Sequence, residues 1–463
     1  MYLGRYGLVS QLWGRIHPSF KGRIDKRRNK IGIIIDQYLF FIQSSLINSA
    51  VELARAGYSV YIFINKEQSE NIPAIFSDYN IKIIFIDIAK ELNEKYTPDK
   101  EQDSASKILI CKELWDSHVQ AWMEGYCEHA VKFFSSLYFT RLYLFYKLSS
   151  QYIDDSFVCL MGVESYGLII ASMLGFDHRI PFIYYNLELL LKEDIGSPYN
   201  VYISGFPIKC QVLYKELEEE CSRRSYFTIV ADERRASYLM KDNHILPDKV
   251  LCIPVGSTGA PYRNKSSFLR EKLGIDPGKK IMLFVGTIFD GMMCLELARS
   301  AQSWNDDKVL VLHSRERFSD DNPYINQIRG LTSTGKVYLS TDPVPWDMLH
   351  TLISSGDIGL VFYKNLSRNF YETSRSSNKT ALFLQAGLPI ITIDFPGFQE
   401  LIDQYHCGKY TGNTDEVEHL ADDILSNYST YRENAFRCFT SEYEFSGHFR
   451  SVLDRVEQLS QGA

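Results

Sequence analysis

The chain has 463 residues, 45% hydrophobic and 23% charged, a make-up that suits a globular protein of two domains of about 200 residues each, not one ordinary core. Its net charge of −7 excludes wholesale nucleic-acid binding, so any site for a polyanion must come from clustered basic residues. Nine cysteines without a C-x-x-C pair point to buried thiols in a reducing compartment, not to disulfides or zinc; no uncharged apolar run of about 18 residues and no signal peptide is found, so a cytoplasmic protein is expected.

Residues 1–30 carry eight basic residues (Arg5, Arg15, Lys21, Arg23, Lys26, Arg27, Arg28, Lys30) against the single acid Asp25. Tyr2, Leu3, Tyr6, Leu8, Val9, Leu12, Trp13 and Ile16 recur among them at near-helical spacing. Such a segment suits the surface of an anionic bilayer, which predicts peripheral attachment to the inner face of a membrane.

The first domain, 31–255, opens on the apolar run Ile31–Ile35, ended by Asp36. A helical stretch from Ser44 to Arg55 follows, closed by Gly57. Further strands over Tyr58–Ile64 and Ile81–Ile86 come at the spacing of βαβ units, which predicts a parallel sheet covered on both faces. Residues 90–106 read as a surface loop, and 107–152 as helical and strongly aromatic. The alternation resumes with Phe157–Leu160, the turn containing Gly162 and Glu164, and an apolar helix from Gly167. Next come the run ending Asn186-Leu-Glu188, a highly charged helix over Lys209–Arg224 expected to be exposed, the strand Phe227–Val230, and Asp232-Glu-Arg-Arg235 leading into a helix. Val250–Pro254 is the last strand, and Gly256-Ser-Thr-Gly-Ala-Pro261 marks a hinge.

The second domain, 256–440, repeats the alternation: Lys280–Val285 followed by Gly286-Thr287, a helix over Cys294–Ser300, then strands Val309–Leu312, Val337–Leu339, Ile358–Phe362 and Ile390–Ile393. Between the last two lies Ser376-Ser-Asn-Lys379-Thr-Ala-Leu-Phe-Leu-Gln-Ala-Gly387-Leu-Pro389. Ser376 or Ser377 serves as N-cap, Thr380–Ala386 as a short helix, Gly387 as its C′ residue, and Pro389 bars continuation. Lys379, with Arg375 and Arg368 before it, places positive charge at a helix N-terminus, against the macrodipole. A bound diphosphate reverses the sign of that interaction, because exposed N–H groups and a cation on one turn are what it requires. Residues 441–463 read as a terminal helix.

The pattern S-x-N-K, an apolar helix, then A-G-L-P-I-I and an acid beyond, resembles the donor-site motif of GT-B glycosyltransferases, specifically the group 1, family-4-like bacterial set written P-N-K-x-x-E-Y-x-x-x-G-x-P. The resemblance implies an α/β protein with two doubly wound Rossmann-like domains facing across a cleft, the first taking the acceptor, the second the nucleotide sugar, and the terminal helix crossing back. It also implies that Lys379, Asn378 and Ser377 hold the diphosphate. The sequence departs from the family at two positions. Leu382 stands where the ribose-binding glutamate belongs, and Ser374 where the earlier glutamate of the related E-x7-E pattern falls.

Ligands of open parallel sheets bind outside the carboxyl ends of the strands. That rule selects Asp36, Glu164, Asn186 and Glu188 in the first domain, and Gly286, Thr287, His313 to Arg315 and Ser340 in the second. Glu164 and then Asp36 are the candidate catalytic acids, Asn186 and Glu188 acceptor-binding residues, and Gly286, Thr287, Arg315 and Arg368 further donor-site residues. No D-x-D occurs, so no metal or other cofactor is expected, the cations and helix dipole neutralising the leaving diphosphate. The function expected is transfer of a sugar from a nucleotide sugar to an envelope polysaccharide or lipid-linked acceptor. The alternatives are a GT-B protein that binds a partner or sugar nucleotide without turnover, as the two missing glutamates suggest, and a sugar-nucleotide epimerase.

Overall fold

The computed structural model describes residues 28–35, 44–66, 72–95, 137–200, 203, 205–345 and 348–461. Asp36, the basic segment up to Arg27 and most of the aromatic stretch 107–152 lie outside them. The chain divides into two compact units, one of Met1–Phe41, Ser49–Ile253 and Phe449–Ala463, the other of Ile42–Asn48 and Pro254–His448.

The first unit holds a seven-stranded sheet made of β1 (Lys30–Ile35), β2 (Ser59–Asn65), β3 (Ile81–Ile86), β4 (Phe157–Val163), β5 (Phe182–Tyr185), β6 (Thr228–Val230) and β7 (Val250–Cys252). The order is β3-β2-β1-β4-β5-β6-β7, with every pairing parallel. The second unit holds β8 (Lys280–Val285), β9 (Lys308–His313), β10 (Val337–Ser340), β11 (Ile358–Val361), β12 (Ile390–Ile393) and β13 (Gly408–Thr411) in the order β10-β9-β8-β11-β12-β13, again all parallel. Both are doubly wound: the order reverses between β1 and β4 in one and between β8 and β11 in the other, which puts a ligand crevice at the carboxyl ends of those strands. The continuous apolar runs that made the strands legible are the mark of sheets buried on both faces, and β4, β9, β11 and β12 are buried along their whole length.

Two expectations about the periphery change, the first being that part of the stretch 90–106 read as a surface loop belongs to the helix Ile88–Lys95. The helix Ile208–Arg224 is not simply a solvated surface helix, because Lys215 and Glu218 on it are almost fully buried. Lys215 is neutralised at 2.8 Å by both Glu218 and Asp242, and also donates to the carbonyl of Leu190, which is what allows such a charged face to turn inward. The terminal helix is Phe445–Gln461; its first residues group with the second unit and those from Phe449 onward with the first. The seven described cysteines are all free thiols. No helix among the described residues is long and apolar enough to cross a membrane.

The turn from β4 into the helix Glu164–His178 is set by two glycines. A Cβ on Gly167 would stand 2.3 Å from the carbonyl oxygen of Ile34, and one on Gly162 2.5 Å from the oxygen of Gly167. Both neighbours are backbone and cannot swing aside. Gly167→Ala is therefore expected to lower stability by roughly 1–3 kcal/mol, as overpacking does, in urea titrations; an unchanged midpoint would show that β1 and this helix are less tightly apposed.

Candidate functional site

In the second unit the helix Asn378–Gln385 begins close to the switch point. Ser377 is its N-cap, accepting from the N–H of Thr380, and its hydroxyl meets the hydroxyl of Tyr363 at 2.9 Å in the interior. Asn378 accepts from the hydroxyl of Ser44, in the segment Ile42–Asn48 that belongs to the same unit. Lys379 follows in the first turn and is buried, 8% exposed.

The surroundings of its ammonium are unusual. Nζ lies 4.1 Å from the centre of the Phe284 ring, 4.6 Å from that of Tyr363 and 3.8 Å from the sulfur of Met292. Phe284 belongs to β8 and Tyr363 comes just after β11, so the two strands flanking the switch point supply the two rings. No described carboxylate pairs with Nζ. The other buried lysines differ: Lys215 has Glu218 and Asp242, and Lys308 has Asp307 and Asp422 at 3.0 and 2.8 Å. Even Lys364, next to Tyr363 and more exposed, is held by Asp290 and Glu296 at 2.6 and 2.8 Å. The Lys379 ammonium thus sits in an aromatic cage, where cation–π attraction of about 0.5–2 kcal/mol per ring offsets only part of the several kcal/mol that desolvation of a cation costs.

Gly286 faces the same ammonium. Its φ of 143° is a conformation side chains avoid, and a Cβ there would lie 3.5 Å from Lys379 Nζ. With the side chain absent, the loop after β8 leaves room beside the cation. Gly286, Val285, His313, Arg315, Val344 and Leu349 line a cavity of about 60 Å³. His313 ends β9; its Nδ1 meets the hydroxyl of Ser340 at 3.0 Å, and burial, with Lys272 and Arg315 adding to it, lowers its pKa to about 4. Arg315 is exposed at the rim and pairs with no described carboxylate. Thr287 is exposed and donates to Glu316 at 3.1 Å. Arg368 is half-buried at the start of the short helix Arg368–Tyr371. Arg375 does not join the cationic group, since its guanidinium pairs with Glu442 at 2.9 Å. Leu382 is 5% exposed in the core of this unit, and Ser374 is buried beside Gly397.

In the first unit Glu164 sits at the switch point, straight after β4. It is buried, and its φ of 57° lies in the left-handed region that a non-glycine residue seldom adopts at the start of a helix. The N–H of Glu188 donates to both of its oxygens, at 3.2 and 3.3 Å. Burial, and then the charge of Glu188, push the Glu164 carboxyl well above the usual range. Glu188 is only partly buried, its side chain 42% exposed, and Arg235 meets its carboxyl at 3.3 Å. Asn186 is fully buried and serves this turn: its amide donates to the Tyr184 hydroxyl at 2.8 Å and to the Glu188 carbonyl at 2.7 Å, while its own oxygen has no partner. Asn186 therefore supports Glu188 and does not form an open surface. The described residues contain no group of three metal-ligating side chains.

Two successive units, each built on a parallel, doubly wound sheet, are the elements of the GT-B fold. Among solved structures the chain is similar to the sucrose-phosphate synthase of Thermosynechococcus elongatus, with a TM-score of 0.64 and 12% identity over 94% of this chain and 100% of that one. It is also similar to HepE of Anabaena in complex with UDP-glucose, with a TM-score of 0.59 and 10% identity over 93% and 99%. A third is WaaG, a glycosyltransferase involved in lipopolysaccharide biosynthesis, with a TM-score of 0.55 and 12% identity over 91% and 98%. At these identities the likeness establishes the fold. Residues 330–441, which carry Tyr363 and Lys379, match the family model of the Glucosyltransferase 3-like, C-terminal domain. No curated protein matches the sequence.

Phe284, Tyr363 and Arg235 were not selected as site residues from sequence. Tyr363 had a usable signal, since it stands just beyond an apolar strand at the end where ligands bind.

The state of His313 has a measurable consequence. With a folded pKa of about 4 against an ordinary 6.5, the unfolded chain binds the extra proton, so stability is lost as pH falls between these values, by at most about 3 kcal/mol. His313→Gln is expected to flatten the fall in urea midpoint between about pH 7 and pH 4.5; an equal fall in both proteins would place the acid sensitivity elsewhere.

Proposed function

We propose that this chain is a glycosyltransferase that takes its sugar from a nucleotide-sugar donor and binds the donor diphosphate at Lys379. The observation that carries the proposal is the buried ammonium, without a carboxylate partner among the described residues, at the start of a helix and beside Gly286. A diphosphate laid against that turn gains the N–H groups of the helix start, the dipole and the cation together. Gly286 admits the backbone approach, Ser377 and Asn378 shape the turn, and Arg315 at the rim of the neighbouring cavity is placed for the nucleoside side of the donor. UDP-sugars are the first donors to try, because HepE was solved with UDP-glucose and the E. coli trehalose-6-phosphate structure, a further match, with UDP-2-fluoro glucose.

Transfer requires the leaving diphosphate to be stabilised and a proton to be managed at the sugar or acceptor oxygen. Lys379 and the helix start serve the first need, with no metal required. Glu164, strained, buried and at a strand end, serves the second, and Glu188 borders it on the acceptor side. The acceptor we propose is a glycan or lipid-linked sugar met at the inner membrane face, through the basic residues of the first 30. Leu382 favours a second reading: a core leucine where the family grips ribose with a carboxylate fits a protein that binds a sugar nucleotide weakly and turns over slowly or not at all.

Purified protein incubated with UDP-, GDP-, dTDP- and CMP-sugars, with and without EDTA, separates the two. The proposal predicts a thermal shift and slow hydrolysis with one donor class, unaffected by EDTA. A shift without hydrolysis, with glycan acceptors also inert, would favour the binding protein, and no shift with any donor would contradict both.

A further inference from the structure

The loops that follow β8 and β11 are stitched to each other beside Lys379. The N–H of Lys364 donates to the carbonyl of Gly291 at 2.9 Å, and the Lys364 ammonium bridges Asp290 and Glu296. Each loop also touches the Lys379 ammonium, the first through the sulfur of Met292 and the second through the ring of Tyr363.

The side chains these loops add next to that contact are apolar. Phe289 from the first meets Phe370 from the second edge-to-face, ring centres 6.1 Å apart, and Phe370 meets Tyr363 in the same way at 6.2 Å. Gly291 lies against Phe289 and Leu366: a Cβ there would stand 2.5 Å from the one ring and 2.8 Å from Leu366 Cδ1, so a larger residue would displace both. Phe289, Leu366 and Phe370 are all half-buried. Phe370 packs on the edge of the unit's hydrophobic core, whereas Phe289 and Leu366 take no part in it. A backbone bond, two ion pairs and a glycine thus fix a small apolar wall that the core does not use.

The wall and the cavity beside Gly286 lie on opposite sides of β8. The cavity draws on the end of β9 and the segment after β10, through His313, Arg315 and Val344, while the wall is built from the segments after β8 and β11. Lys379 borders both, since Gly286 faces its ammonium from one side and Met292 and Tyr363 from the other. A diphosphate bound there would have its nucleoside at one end and its sugar at the other. The cavity offers the hydrogen-bonding groups of His313 and Arg315, which suit a nucleobase. The three side chains of the wall offer none, and suit the face of a sugar ring that presents C–H groups while its hydroxyls stay in water.

We propose that Phe289, Leu366 and Phe370 form the subsite for the sugar of the donor, taking a hexopyranose through the apolar face of its ring. Phe370, which joins the wall to Tyr363, is the residue that separates a sugar nucleotide from the bare nucleotide. The proposal rests on the donor reading above and adds the side chains that hold the sugar.

Calorimetry of the full-length protein with UDP against UDP-glucose, GDP against GDP-mannose and dTDP against dTDP-glucose measures the sugar's share of binding as a ratio of affinities. In one pair the sugar nucleotide is expected to bind about 3- to 10-fold more tightly than its nucleoside diphosphate, and Phe370→Leu to remove most of that ratio while changing affinity for the bare diphosphate far less. Should Phe370→Leu fail to fold, Phe289→Leu, at a side chain outside the core, keeps the test and is expected to lower the ratio in the same direction. A ratio near one in the parent, a ratio unmoved by the substitution, or a diphosphate weakened as much as its sugar nucleotide would overturn the proposal and leave the wall a brace between two loops. Binding of none of the six ligands is a different failure, and contradicts the donor reading itself.

Discussion

The second unit depends on a charge that no carboxylate among the described residues neutralises. Lys379 is buried at the start of a helix, where the dipole repels it, and is held only by two aromatic faces, a thioether and the space left by a glycine. Desolvation and dipole both act against the cation, and cation–π attraction offsets them in part. Every other buried lysine among the described residues has at least one carboxylate within 3.0 Å. On the function proposed above, an anion from outside completes this arrangement, and the helix N-terminus makes a diphosphate the fitting one.

The first unit solves the converse problem. It brings two acids and a guanidinium together at the carboxyl ends of its strands, and burial, then the charge of Glu188, push the Glu164 carboxyl up. The left-handed backbone of Glu164, the glycines that let its helix press against β1, and the Asn186 amide beneath the Glu188 turn all fix the geometry of that acid pair. Strain of this kind, of order 1–3 kcal/mol, persists where surrounding packing overdetermines it.

How far the sequence discloses this follows from the range of each interaction. The strands were legible because parallel sheets buried on both faces are written as unbroken apolar runs, and the helix at Asn378 because capping serine, lysine, glycine and proline are all local signals. Lys379 stood out for the same reason. Its cage did not, since Phe284 and Tyr363 lie 95 and 16 positions upstream and read as ordinary core. Arg375, adjacent to the motif, seemed part of the cationic group, but its partner Glu442 is 67 residues away. Glu188 and Arg235, 47 residues apart, are likewise joined only by the fold. Charge balance, unlike periodicity, is settled between distant segments.

The most direct test of the unbalanced cation is Lys379→Met, which keeps the length and apolar stem of the side chain and removes only the charge. Calorimetry with the preferred nucleotide, alongside thermal unfolding, measures both consequences in one protein. The account predicts a melting temperature equal to or above that of the parent and nucleotide affinity reduced at least about 100-fold, as the loss of a charge-assisted contact of about 3 kcal/mol implies. Undiminished affinity, or a marked drop in stability with the charge gone, would contradict it.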